Sequence, residues 1–433
     1  MDRFLSRHIR GLGPSATVAI NERSDELRRQ GRSIVKLGLG QSPFPVPAPV
    51  VEALRGNAAA KDYLPVRGLP ALREAVADYH RRVTGVPYTP DSVIVAPGSK
   101  ELMFLLQVVF DGELIVPTPA WVSYAPQAHL IGRRATMLHA HAKDGWRLPP
   151  ETLERHCKEE PAAGRVLILN YPSNPTGQTY TAADLEELAE VARRCHVLVL
   201  SDEIYGELHH QGEHVSIARF YPEGTIISSG LSKWCGAGGW RLGTFTAPPG
   251  LKWLTDAISV AASETYTSTS APIQHAAVTA FRGGMQIERY LWRARRILAA
   301  LGQAIVSRLR SAGVAVEAPV GAFYVFPDFA PHREALARAG IETSAELCRR
   351  LLEEADVAVL PGADFGRPRE ELTLRIAYVD FDGGRAMTAL EAMGDLTTGA
   401  IGEPFLAAHC SSLLAGVDRI ARWLNEVSAR RER

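Results

Sequence analysis

One lysine stands out by its company. The chain holds seven lysines against 41 arginines (48 basic residues less the seven), and no lysine follows Lys252. Lys233 is kept within Ser232-Lys233-Trp-Cys-Gly-Ala-Gly-Gly-Trp-Arg241-Leu-Gly243. A desolvated amine sheds its proton and serves as nucleophile or base, which a guanidinium does not. Arg241 offers a planar fork suited to phosphate oxygens. The glycines between them let backbone approach a ligand closely. This is no dinucleotide fingerprint, because the stretch leads into a strand rather than a helix.

Four further groups follow short apolar runs. After 92–96 comes Pro97-Gly98-Ser99-Lys100-Glu101, a glycine turn opening a helical pattern. Free amides at a helix start suit a phosphate, with a plain turn as the alternative. The Gly-Lys-[Ser/Thr] ending of a Walker loop is missing. After 113–116 comes Trp121, which either stacks on a planar ligand or fills the core. After 166–169 comes Asn170-Tyr-Pro-Ser-Asn174-Pro175-Thr-Gly177, where Asn174 is a polar group held rigid by prolines or simply part of a turn. After 197–200 comes Ser201-Asp202-Glu203-Ile204-Tyr205. An acid ending a buried strand needs a cation, such as a protonated ring nitrogen, or else caps a helix. A lysine, an acid, an aromatic and a phosphate cup together suit one planar, phosphorylated, aldehyde-bearing cofactor, pyridoxal phosphate.

The elements that must position these groups are legible too. The runs at 92–96, 113–116, 135–138, 166–169, 197–200, 225–228 and 243–246 are short and mostly apolar rather than strictly alternating. That pattern means burial on both faces, as in a mostly parallel sheet between helix layers. After about 285 come a helical stretch at 286–312, a strand at 321–326, a helix at 345–354, short strands at 357–360 and 372–377, and a final helix near 411–427. The expected fold is α/β: a large domain with a mostly parallel seven-stranded sheet, plus a smaller α+β domain. The expected division is 1–48 for an N-terminal arm and part of the small domain, 49–285 for the large domain, and 286–433 for the rest of the small domain.

Bulk properties exclude other classes. The 433 residues are 46% hydrophobic, enough for a sizeable core, and their formal net charge is zero, which gives no footprint for bulk nucleic-acid or anionic-membrane binding. No apolar run approaches a spanning helix, and the N-terminus lacks an apolar signal region, so a cytoplasmic protein is expected. The five cysteines are scattered and form no CxxC, so neither a disulfide framework nor a zinc site is implied. His209, His210 and His214 sit in a polar, glycine-containing stretch and read as a solvated loop rather than a metal site.

With these motifs in family order, the chain strongly resembles the class I/II aminotransferases of pyridoxal-phosphate fold type I, from Pro14-Ser-Ala-Thr17 to the last helix. Asn174-Pro-Thr-Gly177, Ser201-Asp-Glu-Ile-Tyr205, Ser232-Lys233, Gly-Trp-Arg241-Leu-Gly243, Pro361-Gly-Ala-Asp-Phe-Gly366 and Leu374-Arg375-Ile376 carry the resemblance. It implies that Lys233 binds the cofactor covalently and shuttles the proton. It implies that Asp202 pairs with the ring nitrogen, that Tyr205 and Asn174 bond the ring oxygen, and that Trp121 stacks on the ring. Ser99, Lys100, Ser232 and Arg241 are implied to hold the phosphate. Tyr63 matches the tyrosine that reaches a neighbouring subunit's phosphate, implying a homodimer with shared sites. Arg375 matches the substrate-carboxylate arginine, and Gly40 is implied to contact the same group. One departure is Gly230, three residues before the lysine, where the family usually has a phosphate-binding serine; Ser229 or Ser232 is the candidate substitute.

The leading expectation is ping-pong transamination between an L-amino acid and a 2-oxo acid. The same scaffold supports lyases, cyclopropane-forming synthases and oxidases or hydroxylases, and a cofactor-binding regulator is a third class. No helix-turn-helix module or basic arm precedes residue 14 to support the last. The hydroxyl-rich stretch at 263–272 favours neither acidic nor aromatic substrates, and no second substrate-binding cation can be placed. The lean is to aspartate- or aromatic-type donors with 2-oxoglutarate as acceptor.

Overall fold

The computed structural model describes residues 4–13, 15–159, 164–394 and 401–429. Pro14, which opens the resemblance, lies outside them. In chain order the strands are β1 (Val35–Lys36), β2 (Val93–Ala96), β3 (Gly112–Thr118), β4 (Ala135–His139), β5 (Gly164–Asn170), β6 (Val197–Asp202), β7 (Thr225–Gly230), β8 (Gly243–Thr246), β9 (Tyr324–Val325), β10 (Val357–Ala358), β11 (Leu360–Pro361) and β12 (Leu374–Ala377).

Seven of them form one sheet in the order β2-β8-β7-β6-β5-β3-β4. Only β8 runs antiparallel to its neighbours; the other pairs are parallel. The β2 and β7 strands are buried at every residue, as mostly apolar runs between two helix layers must be. The reversal of β8 is what assembles the pocket. Its first residue, Gly243, pairs with the last residue of β7, Gly230, and the last of β2, Ala96. The Pro97–Lys100 turn, the lysine segment and Arg241 therefore emerge at one edge. At the same edge Asn170 and Asp202 end β5 and β6 side by side.

Beyond this sheet, β11, β12 and β9 form a small antiparallel sheet, and β1 pairs in parallel with β10. The N-terminal segment thus packs on the C-terminal part of the chain. The 27-residue helix Met285–Ser311 presents one apolar stripe to the core, and helix Ser411–Ala429 packs against it. The strand expected over 321–326 shrinks to Tyr324–Val325, because Ala322 adopts the left-handed region at φ 56° and breaks the extended run. Among the described residues no helix is long and apolar enough to cross a membrane.

Candidate active site

The sheet edge opens on a pocket of about 310 Å³. Gly40, Ser99, Lys100, Trp121, Asn174, Asp202, Tyr205, Ser232, Lys233 and Arg241 all line it. Ten residues singled out from sequence thus meet in one place. Arg375 lies behind the wall, donating to Asn174 Oδ1 at 3.0 Å and to Gly38 O. Tyr63 is outside the pocket and 90% exposed.

Lys233 comes off the β7 end, where its Nζ donates to Gly40 O at 2.7 Å. Burial, aided by the Arg375 charge, lowers its pKa to about 8 against the pull of Asp202. A fraction of the amine is therefore neutral near pH 7, the form that attacks a carbonyl.

Asp202 is 3% exposed. Its Oδ2 accepts from the Tyr124 hydroxyl at 2.5 Å, while its buried Oδ1 has no partner. Burial raises its pKa to about 6, opposed by the Tyr124 bond and the Ile204 amide. A carboxylate oxygen left bare at a pocket wall matches a protonated ring nitrogen, which would meet it there.

The phosphate cup is equally specific. Helix Ser99–Val109 starts at Gly98, which provides no side-chain cap, so first-turn amides and the positive helix end face the pocket. Gly98 sits at φ +97°, and a Cβ there would meet Arg241 Nη2 at 2.2 Å. A Cβ on Gly243 would lie 2.0 Å from the Ser99 amide nitrogen. Arg241 donates to Gly238 O at 3.0 Å and Pro97 O at 3.3 Å, so its fork is already aimed. These donors fit a phosphate, and together with Asp202, Lys233 and Trp121 they fit pyridoxal phosphate. At Gly230 a Cβ would lie 2.6 Å from Leu242 O and 3.0 Å from Gly243 Cα, so the chain entering β8 leaves no room for a side chain there. Of the two candidate substitutes, Ser232 lines the pocket and Ser229 does not.

Two contributors were missed from sequence. Tyr124 sits three residues after Trp121, its ring edge-on to that indole at 5.3 Å. Asn170 accepts from the Asn174 amide at 2.7 Å and donates to Asp202 O at 3.0 Å, fixing the loop relative to the strand end. Asn170 opened a motif already noticed, at the end of a buried strand beside the one that ends in Asp202; nothing in the sequence set Tyr124 apart from a core tyrosine.

The histidine expectation is corrected. His209 is buried, His210 Nε2 lies 3.2 Å from Ala322 O, and His214 Nε2 lies 2.9 Å from Glu203 Oε2. For His214 the cause is Glu203, which is buried and gathers Ser201, Ser216 and His214 around its carboxylate; His210 is held instead by the Ala322 backbone. Among the described residues no cluster of metal-binding side chains occurs.

Comparison with known proteins agrees. A family model described as "Aminotransferase class I and II" matches residues 32–383. The chain is 37% identical over 384 residues to the aspartate aminotransferase of Geobacillus stearothermophilus, covering 86% of this chain and 94% of that one. It is 36% identical over 374 residues to the aspartate/prephenate aminotransferase of Thermus thermophilus, covering 84% and 92%. The solved aspartate aminotransferase of Thermus thermophilus with maleate superposes with a TM-score of 0.82 at 32% identity, over 96% of this chain and 99% of that one. The cofactor cup, the bare Asp202 oxygen and these matches converge: the chain belongs to the class I and II aminotransferases and is a pyridoxal-phosphate-dependent enzyme moving amino groups between amino acids and 2-oxo acids.

Proposed function

We propose that the amino donor is a dicarboxylic amino acid, aspartate above all, with 2-oxoglutarate as acceptor. One observation carries this: the pocket holds a lysine that no carboxylate balances. Lys100 lines it with Nζ 5.0 Å from the Trp121 ring centroid, and among the described residues no carboxylate pairs with it. Lys100 is solvent-exposed, and partial desolvation with the neighbouring Arg241 charge still lowers its pKa, so an incoming carboxylate would offset a positive charge that no acid balances. The aspartate aminotransferases among the relatives support the same reading.

In this reading Arg375 grips the substrate's α-carboxylate. Its guanidinium is 1% exposed and its Nε has no partner, so fork donors remain for a bidentate carboxylate. Asn174 holds it from one side. Lys233 would take the proton from the substrate α-carbon and hold it at Nζ, a task its lowered pKa suits. Asp202 would keep a bound ring nitrogen charged, and Tyr205 would donate to the ring oxygen. Trp121, which lines the pocket, would cover one ring face and exclude water. When bound, the cofactor supplies an electron-poor ring that accepts the electron pair released at the α-carbon.

The same reading takes the enzyme to be a homodimer, with Tyr63 serving the partner's phosphate site. Tyr63, Trp253 and Val260 are large side chains left exposed. The last two lie seven residues apart on helix Lys252–Ser263, hence on one face. The division at 1–48, 49–285 and 286–433 is retained, supported by the β1–β10 pairing.

A panel of amino donors against 2-oxoglutarate and pyruvate tests the substrate reading. Aspartate should lead in kcat/KM with 2-oxoglutarate. A neutral donor ahead of it by tenfold, or ammonia released without any 2-oxo acid, contradicts the reading.

A further inference from the structure

Tyr324 occupies a junction that the roles above leave out. It lies on β9 opposite Ala377 of β12, the strand that carries Arg375, and it is fully buried. Its hydroxyl is 2.7 Å from that of Tyr205, and the two rings meet edge to face at 5.6 Å. The Arg375 guanidinium lies 4.8 Å from its ring centroid. A Cβ on Gly40 would sit 2.0 Å from its Oη. One phenol thus touches the groups assigned to the substrate carboxylate and to the ring oxygen, and the segment that accepts from Lys233.

A phenol has one proton to give and lone pairs to accept with. Two hydroxyls sharing one bond must divide those roles. Once Tyr205 turns its proton toward the cofactor, its oxygen is free to accept, and Tyr324 is the hydroxyl in place to donate. Burial raises the pKa of both phenols, and the Arg375 charge opposes that for both. The guanidinium therefore draws each hydroxyl toward stronger donation. Hydrogen bonds in series reinforce one another in a low-dielectric interior.

We propose that Tyr324 is a positioning residue: it orients the Tyr205 hydroxyl toward the cofactor and transmits the charge state at Arg375 to it. This rests on the roles given to Tyr205 and Arg375 above. A carboxylate bound at Arg375 offsets the guanidinium charge, weakens its pull on Tyr324, and so weakens Tyr205 as a donor. The other titratable groups facing the pair are Tyr378, Asp202, Tyr124 and Lys233, whose Nζ is 5.7 Å from the Tyr205 ring.

Tyr324→Phe keeps the ring against Arg375 and removes one hydroxyl. The test is a pH titration of the holoenzyme's visible cofactor band, with and without maleate, a dicarboxylate that has no amino group to transfer. A weaker Tyr205 donor leaves more charge on the ring oxygen, which then holds the proton it shares with the Lys233 nitrogen more tightly. The midpoint should move up by about 0.5–1 pH unit, a three- to tenfold change in proton affinity, and the maleate-induced shift should shrink by at least half. A midpoint unmoved or lowered overturns the proposal. In a Tyr205→Phe background the same change should add nothing; a further shift there overturns the route through Tyr205. A wild-type protein without the band overturns the pocket assignment and this proposal together, whereas an unmoved midpoint in a banded enzyme overturns only Tyr324.

Discussion

The Tyr124 hydroxyl donates to Oδ2 of Asp202 at 2.5 Å and leaves Oδ1 buried with no partner. One oxygen is thereby fixed by the protein and the other kept for the cofactor. Hydrogen bonds to charged groups contribute roughly 1.5–3 kcal/mol. Tyr124→Phe should therefore weaken cofactor binding by about tenfold or more, measured as the dissociation constant for pyridoxal phosphate. Unchanged affinity would show that Asp202 needs no such orientation.

Asp202 also links function to stability. Its folded pKa of about 6 exceeds the ordinary 3.8, so the folded chain without cofactor holds a proton that the unfolded chain releases first. The resulting penalty is absent below about pH 4, grows between about 4 and 6, and is complete above. Asp202→Asn removes it. Urea unfolding of the cofactor-free protein at pH 7.5 should find the variant more stable, by on the order of 1–3 kcal/mol, although the variant loses activity. The gain should vanish near pH 4. A less stable variant at pH 7.5 would contradict the burial argument.

Lys100→Met keeps the length of the side chain and removes its charge. If Lys100 reads the distal carboxylate, kcat/KM for aspartate should fall by about 10- to 100-fold, mostly through KM, while that for alanine changes less than about threefold. Equal losses for both donors would instead place Lys100 in the phosphate cup alone.

How much of this was legible beforehand varies with the physics. The buried strands showed as short, mostly apolar runs, and Lys233, Asp202 and Arg241 showed because a charge beside such a run needs a reason. The reversal of β8 did not show: an apolar run carries no direction, yet the Gly230–Gly243 pairing closes the pocket. Tyr124 and Tyr324 were hidden because a buried tyrosine looks like core until its hydroxyl's partner is seen. The histidines at 209, 210 and 214 misled because their local sequence is polar, while the groups that hold them lie elsewhere: Glu203 from a strand end for His214 and the Ala322 backbone for His210. Arg375 needed the motif around it, since its partners Asn174 and Gly38 lie far off in sequence.

Lys233 should set the pH dependence of cofactor capture. With its pKa lowered to about 8, the reactive neutral amine grows roughly tenfold per pH unit below that value and levels off above about pH 9. Stopped-flow mixing of cofactor-free enzyme with pyridoxal phosphate should give that profile. A rate still climbing above pH 10 would mean that the amine is not desolvated as described.

The assignment of Lys233 is tested most directly by trapping. The holoenzyme is reduced with borohydride, digested, and its peptides weighed. The phosphopyridoxyl mass should sit on Lys233 alone, and Lys233→Ala should carry neither the tag nor turnover. A tag on Lys100 or another lysine, or turnover surviving in Lys233→Ala, would contradict the account.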